Sequence, residues 1–138
     1  MEVEFFHVGD HYIRFDAEVP CVIIENNKYT SGEDFRAALT KTLECFQENV
    51  NKYPKLGWLA DTGNAEVFPD EDITWVNNVL NPQMYAAGVR YISFVVPKDV
   101  FAGMGVQEYS ENTDPNAITV RHFDNKDDAR AWLVEIMQ

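Results

Sequence analysis

The pattern of hydrophobic and polar positions along the chain predicts strands first and then an alternation of strands with helices. Two short apolar segments, at 3–8 and 12–15, flank Gly9 and Asp10, a pair that suits a two-residue hairpin turn. The denser apolar run at 19–25 is typical of a strand that is covered on both faces. We therefore expect the N-terminal part to be a hairpin followed by a buried strand.

Helical periodicity begins in the next segment. Over 32–50 the apolar residues recur every three or four positions and so share one face, which predicts the clearest helix in the chain. Ser31, with Asp34 three positions later, suits the N-cap of that helix. Pro69 predicts the first residue of another helix, and Pro82 predicts its interruption. Both helices carry an apolar face that needs a sheet to cover it.

The remaining elements alternate in the same way. In chain order they are a strand at 57–62, a polar loop at 63–66, a strand at 91–96, a helix at 99–109, a strand at 118–123 and a helix after the N-cap Asn125. Strands that alternate with helices form mostly parallel sheets with right-handed crossovers. We therefore predict an α/β fold: a mostly parallel mixed sheet with an antiparallel N-terminal hairpin, flanked by about four helices. The length of 138 residues suits a single domain, residues 1–138.

The charge of the chain narrows the classes of partner. The formal net charge is −12, and the 11 basic residues form no cluster that would bind a phosphate backbone, so no nucleic acid is expected. No apolar run approaches the roughly 20 residues of a membrane span, so no membrane insertion is expected. The acidic start and the two cysteines, Cys21 and Cys45, suit a cytoplasmic protein whose thiols are reduced.

The residue types that carry catalysis form no recognisable pattern. His7 and His11 lie on paired strands of the predicted hairpin and point to opposite faces of the sheet, so they predict no metal site. Cys45 lies late in its helix, where a thiol is not activated. Gly103 and Gly105 are similar to a phosphate-binding fingerprint, but Glu108 replaces its third glycine. The sequence thus predicts no catalytic residue, no metal and no cofactor.

One polar cluster is the exception. Asp61 ends a predicted strand beside Thr62 and Asn64, and Lys98 follows the next predicted strand. Because ligands of open α/β sheets bind outside the carboxyl ends of the strands, these residues are candidates for binding a ligand or partner. Alternatively, Asp61 caps its own loop through nearby backbone amides. Trp75, off the main apolar face of its helix, would cover this loop, join a homodimer surface or pack on the flank of the monomer.

Several segments resemble the STAS domains, and among them the SpoIIAA-like set of small bacterial proteins. They are Trp58-Leu59-Ala60-Asp61-Thr62, Pro69-Asp70-Glu71-Asp72 with the following Trp75, Gly88-Val89-Arg90-Tyr91-Ile92-Ser93-Phe94-Val95-Val96, Arg121-His122-Phe123-Asp124 and Ala129-Arg130-Ala131-Trp132-Leu133. The resemblance covers nearly the whole chain from Tyr12 onward. It implies the STAS (SpoIIAA-like) fold, in which helices wrap a sheet.

The resemblance also implies a function. STAS domains act as regulatory binding modules, so it implies a non-catalytic module that binds a protein partner or a small ligand. Members that act as anti-sigma-factor antagonists carry an Asp-Ser phospho-acceptor motif at a helix start. Here Thr62 is the nearest hydroxyl, and a longer loop separates it from Pro69. The same set is compared with CRAL-TRIO domains, which implies as the alternative a cleft that carries an apolar, lipid-like ligand. An enzyme of unknown reaction is the third hypothesis.

Overall fold

The computed structural model describes residues 2–28 and 32–138. The strands are β1 (Glu2–Val8), β2 (His11–Asp16), β3 (Cys21–Lys28), β4 (Gly57–Ala65), β5 (Tyr91–Val95) and β6 (Thr119–Phe123). The helices are α1 (Gly32–Asn49), α2 (Asp70–Trp75), α3 (Asn81–Ala87), α4 (Val100–Glu111) and α5 (Lys126–Met137). A 3₁₀ turn (Val50–Lys52) follows α1, and a π-helical turn (Val76–Leu80) joins α2 to α3 in one continuous helix.

The strands form one sheet in which their spatial order follows their order in the chain. β1, β2 and β3 pair antiparallel, whereas β3, β4, β5 and β6 pair parallel. The α/β class and the mixed sheet with an antiparallel N-terminal hairpin are thereby confirmed. His7 lies opposite Tyr12 and Val8 opposite His11, as the pattern predicts, and Gly9 has the positive φ of 56° that a glycine-first turn requires.

The sequential strand order decides where the helices lie. Crossovers between parallel strands are right-handed in nearly all proteins, and right-handed connections that always step in the same direction place their helices on one face of the sheet. That face carries α1, the continuous helix from α2 to α3, and α4, and it contains the larger apolar core. Its main members from the sheet are Val22, Ile24, Trp58, Ala60, Ile92 and Phe94, and those from the helices include Leu39, Phe46, Leu80, Met84 and Val106.

Among the described residues, α5 is the only helix on the opposite face of the sheet. Trp132 and Leu133 of α5 pack against a smaller buried cluster that includes Ile23 and Leu59. A helix of 12 residues is only about 18 Å long and 10 Å wide, whereas six strands span about 24 Å. The rest of this face is accordingly polar, with ion pairs between Arg14 and Glu25 (2.9 Å), Arg130 and Asp16 (3.0 Å), and Lys126 and Glu2 (2.8 Å).

Two boundaries differ from those expected. The polar loop predicted at 63–66 is wrong, because β4 continues to Ala65 and its last residues pair with β3 beyond a register shift between Glu25 and Asn27. The predicted interruption at Pro82 is also wrong. The π turn ends at Leu80, two residues before this proline, and it contains Asn78, whose carbonyl a proline ring would contact in a regular α-helix.

The predicted helix starts include two N-caps, Asn125 and Ser31. Asn125 caps α5 as expected, since its Oδ1 accepts a hydrogen bond from the backbone amide of Asp128 at 2.8 Å. The predicted N-cap of α1, Ser31, lies outside the described residues. The start of α4 has a cap as well, because the Asp99 side chain accepts from the amide of Ala102 at 2.9 Å.

Candidate functional site

Asp61 lies within β4 on the face that α5 covers, beside Glu25 of β3. Its Oδ1 accepts a hydrogen bond from the Gly63 amide at 3.2 Å, which is the local capping role weighed above. Burial is the main cause that raises the pKa of Asp61, and the charge of Glu25 adds to it. The pKa of Glu25 itself is lowered, because hydrogen bonds from Asn27 and Arg14 outweigh its own burial.

Thr62 points to the other face of the sheet, since neighbouring side chains of a strand alternate. It is buried, and its Oγ1 donates a hydrogen bond to the carbonyl oxygen of Val95 at 2.5 Å. The residue lies in the middle of β4 and not at a helix start. Its hydroxyl is therefore engaged in the core, where a kinase would not reach it in the folded chain.

The other three predicted residues lie apart from this pair. Asn64 and Lys98 are exposed, and only the backbone of Lys98 reaches β4, where its amide donates to the Gly63 carbonyl at 3.2 Å. Trp75 is half-buried against the core, with the guanidinium carbon of Arg36 5.2 Å from its ring centroid. The predicted residues thus lie on both faces and along one edge. A sheet whose strand order never reverses lacks the crevice that such a site needs.

The structure contains instead a small cavity between the sheet and the helices of the larger core. Its free volume is about 60 Å³, it is partly open to the surface, and it is lined almost entirely by apolar side chains. They come from β3, β4 and β5 on one side and from α1, α2, the π turn and α4 on the other, and include Ile24, Leu39, Ala60, Ile73, Phe94 and Val106. A volume of this size holds about two water molecules or a small apolar group.

A surface groove of about 360 Å³ lies directly outside this cavity, between α2 and α4. Its walls include Val67 and Phe68 before α2, and Phe101 and Met104 on α4. Phe101 and Met104 are 68% and 62% exposed, although both are large apolar residues. Groove and cavity share three wall residues, Phe68, Ile73 and Gly105. The two spaces therefore adjoin at these three residues, which form the partition between them.

Two buried polar atoms beside the cavity have no hydrogen-bond partner among the described residues. They are Oδ1 of Asn26 and Nε1 of Trp58, whose residues are 4% and 3% exposed. Leaving such a group unpaired costs about 1–3 kcal/mol. Tyr109, another lining residue, is satisfied, because its hydroxyl donates to Oδ1 of Asn81 at 2.7 Å. The cavity lining is thus apolar apart from a few polar side chains such as these.

The rim of the groove carries negative charge. Asp70 and Glu108 line it, both are exposed, and neither forms an ion pair with a described residue. No lysine or arginine is found among the residues that line the groove or the cavity. The electrostatic character of the entrance is therefore anionic.

The remaining groups with chemical potential are buried singly. Burial raises the pKa of both thiols, that of Cys45 to about 12. His11 is buried, and neither ring nitrogen has a hydrogen-bond partner within the described part of the chain. Burial lowers its pKa, while the Asn26 side chain and the carboxylates of Asp34 and Asp10 oppose this in part. Among residues 2–28 and 32–138, no three metal-ligating side chains form a group.

The glycines of α4 predict a weak helix, and the sequence pattern led to no expectation of a groove beside it. The sequence signal for the groove is the large number of apolar residues in α4, which lie on more than the one face that a sheet would bury. They include Val100, Phe101, Met104 and Val106. Neither a family model, nor a curated protein, nor a solved structure matches this chain. No helix of the described segments is both long and apolar enough to cross a membrane.

Proposed function

We propose that this chain is a non-catalytic binding module for a small apolar ligand, which enters through the groove between α2 and α4. The observation that carries the proposal is that this exposed apolar groove adjoins the apolar cavity at Phe68, Ile73 and Gly105. A groove of about 360 Å³ lies within the range of small-molecule sites, roughly 300–1,000 Å³. The function is the alternative that the sequence left open, the carriage of an apolar ligand.

The sizes of the two spaces limit how the ligand is bound. An apolar cavity that accepts benzene measures about 150 Å³, so the 60 Å³ cavity admits only one end of a ligand. The body then lies in the groove against Phe101 and Met104, which lose their contact with water. Each methylene buried in this way contributes about 0.8 kcal/mol, which corresponds to about fourfold in affinity.

The finer assignments belong to the same proposal. The STAS-like fold family is supported by the segments quoted above and by the mixed sheet with helices on both faces. A cytoplasmic location is supported by the acidic composition and by the two unpaired cysteines. A protein partner and a homodimer, which the resemblance and Trp75 suggested, stay predictions.

A series of linear alcohols from butanol to octanol tests the function. Titration followed by amide NMR shifts should give affinities that rise about fourfold per methylene until the groove is filled, with the largest shifts in α2 and α4. Met104→Gln should weaken binding several-fold, because it replaces an apolar wall by a polar one of similar size. Val79→Thr is the matched control, since Val79 is also an exposed apolar residue, on the π turn outside the groove. Affinity that ignores chain length, or that both variants reduce equally, would contradict the proposal.

A further inference from the structure

We infer that the ligand is a cationic amphiphile: an apolar body that carries a protonated amine at the end held by the groove rim. The inference rests on the proposed function and adds the chemical class of the ligand. It combines the charge at the entrance with the aromatic walls of the groove.

The rim provides two carboxylates and no competing cation. Asp70 and Glu108 line the groove on opposite walls, one at the start of α2 and the other on α4. Both are exposed and make no ion pair with a described residue, so each remains available to a bound ammonium group. Since exposed ion pairs are weak, each carboxylate should contribute about twofold to fivefold in affinity. The net charge of −12 attracts a cation as well.

The aromatic residues in the walls of the groove also suit a cationic amphiphile. Phe68 and Phe101 line the groove together with the two carboxylates. Aromatic ring faces attract ammonium groups, so a cation between these rings and the carboxylates is favoured over a neutral head of equal size. The charged end stays at the solvent-accessible rim, because carrying it into the 60 Å³ cavity would remove its hydration.

An anionic lipid fits neither with its head group at the rim of the groove nor with its head group in the cavity. At the rim, a carboxylate or phosphate head would meet Asp70 and Glu108 without a lysine or arginine among the lining residues. Inside, it would face an almost entirely apolar lining, where it would lose its hydration. Nε1 of Trp58 is a single donor, and one N–H does not compensate for the burial of a full negative charge.

Three probes of equal chain length test the inference: octylamine, octanol and octanoate, titrated into the whole chain near neutral pH. At low salt, octylamine should bind about threefold to twentyfold more tightly than octanol, and octanoate most weakly. Raising the salt from about 20 mM to about 300 mM should shrink the advantage of the amine, because exposed charges are then screened.

Glu108→Gln and Asp70→Asn should each weaken octylamine about twofold to fivefold and leave octanol unchanged. Glu111→Gln is the control, because it removes the same charge from an exposed position of α4 that does not line the groove. Octanol that binds as tightly as octylamine, or octanoate that binds best, would overturn the cationic class and leave the apolar site standing. Failure of all three probes to bind would overturn both.

Discussion

Replacing Gly105 by alanine tests how tightly the partition between groove and cavity is packed, and Gly103 provides the comparison within the same helix. A Cβ on Gly105 would lie 3.0 Å from Cδ1 of Ile73 and 3.2 Å from Cδ2 of Phe68. A Cβ on Gly103 would meet no atom within 4 Å. Both glycines are in α4, so the two substitutions gain the same helix propensity and differ only in what the new methyl group touches.

The expected magnitudes follow from these distances. Alanine is favoured over glycine in a helix interior by about 0.8–1 kcal/mol, so Gly103→Ala should raise the free energy of unfolding by about that amount. At Gly105 the same gain is opposed by contacts closer than the optimal 3.5–4.0 Å between carbon atoms, and such overpacking costs about 1–3 kcal/mol. The two variants should therefore differ by about 1–3 kcal/mol, with Gly105→Ala the less stable.

Urea unfolding of both variants, compared at equal m-values, measures this difference. Octanol binding to Gly105→Ala should also weaken, because Phe68 must move toward the groove to make room. Equal stability of the two variants would show that the side chains of Ile73 and Phe68 move aside at no cost, and that the packing around Gly105 is not tight. A Gly103→Ala variant that is no more stable than the parent would refute the helix-propensity step itself.

Two further predictions concern buried polar groups. His11 has a lowered pKa, caused mainly by burial, so below about pH 6.5 the unfolded chain binds a proton that the native chain does not. The free energy of unfolding should thus fall as the pH drops from about 6.5, by up to about 1.4 kcal/mol per pH unit, and the urea midpoint of His11→Leu should depend less steeply on pH. An unchanged slope would contradict the assignment to His11. Thr62→Val should lower the free energy of unfolding by about 1 kcal/mol, because it removes a hydrogen bond. Thr62→Asp should lower it by several kcal/mol, because it buries a charge. A Thr62→Asp protein as stable as the parent in thermal unfolding would disprove the buried placement of Thr62.

Local signals account for the parts of the fold that the sequence predicts well. The periodicity of α1, the cap at Asn125 and the opposite orientation of His7 and His11 each depend on residues a few positions apart. The extension of β4 to Ala65 depends on β3 instead, because its last residues pair beyond a register shift. Such pairing between distant segments leaves no mark in the β4 sequence itself.

The candidate site depends on still longer-range packing. The groove exists because α2 and α4 lie side by side on the same face of the sheet, and no pattern in either helix states that they meet. In contrast, Asp61 and Thr62 lie on opposite faces because neighbouring side chains of a strand alternate, so this placement could be predicted from the sequence. Strand order was the missing information, since it decides whether the carboxyl ends enclose a crevice.

The sequential strand order has a consequence for how the chain folds during its synthesis on the ribosome. Each new strand can pair with the strand made just before it, and the crossover helices cover one face as they emerge. Ile23 and Leu59 on the other face stay uncovered until α5 packs on them, since no other described helix lies on that face. Until α5 is synthesised, the nascent sheet presents a bare apolar strip, the kind of surface that chaperones bind.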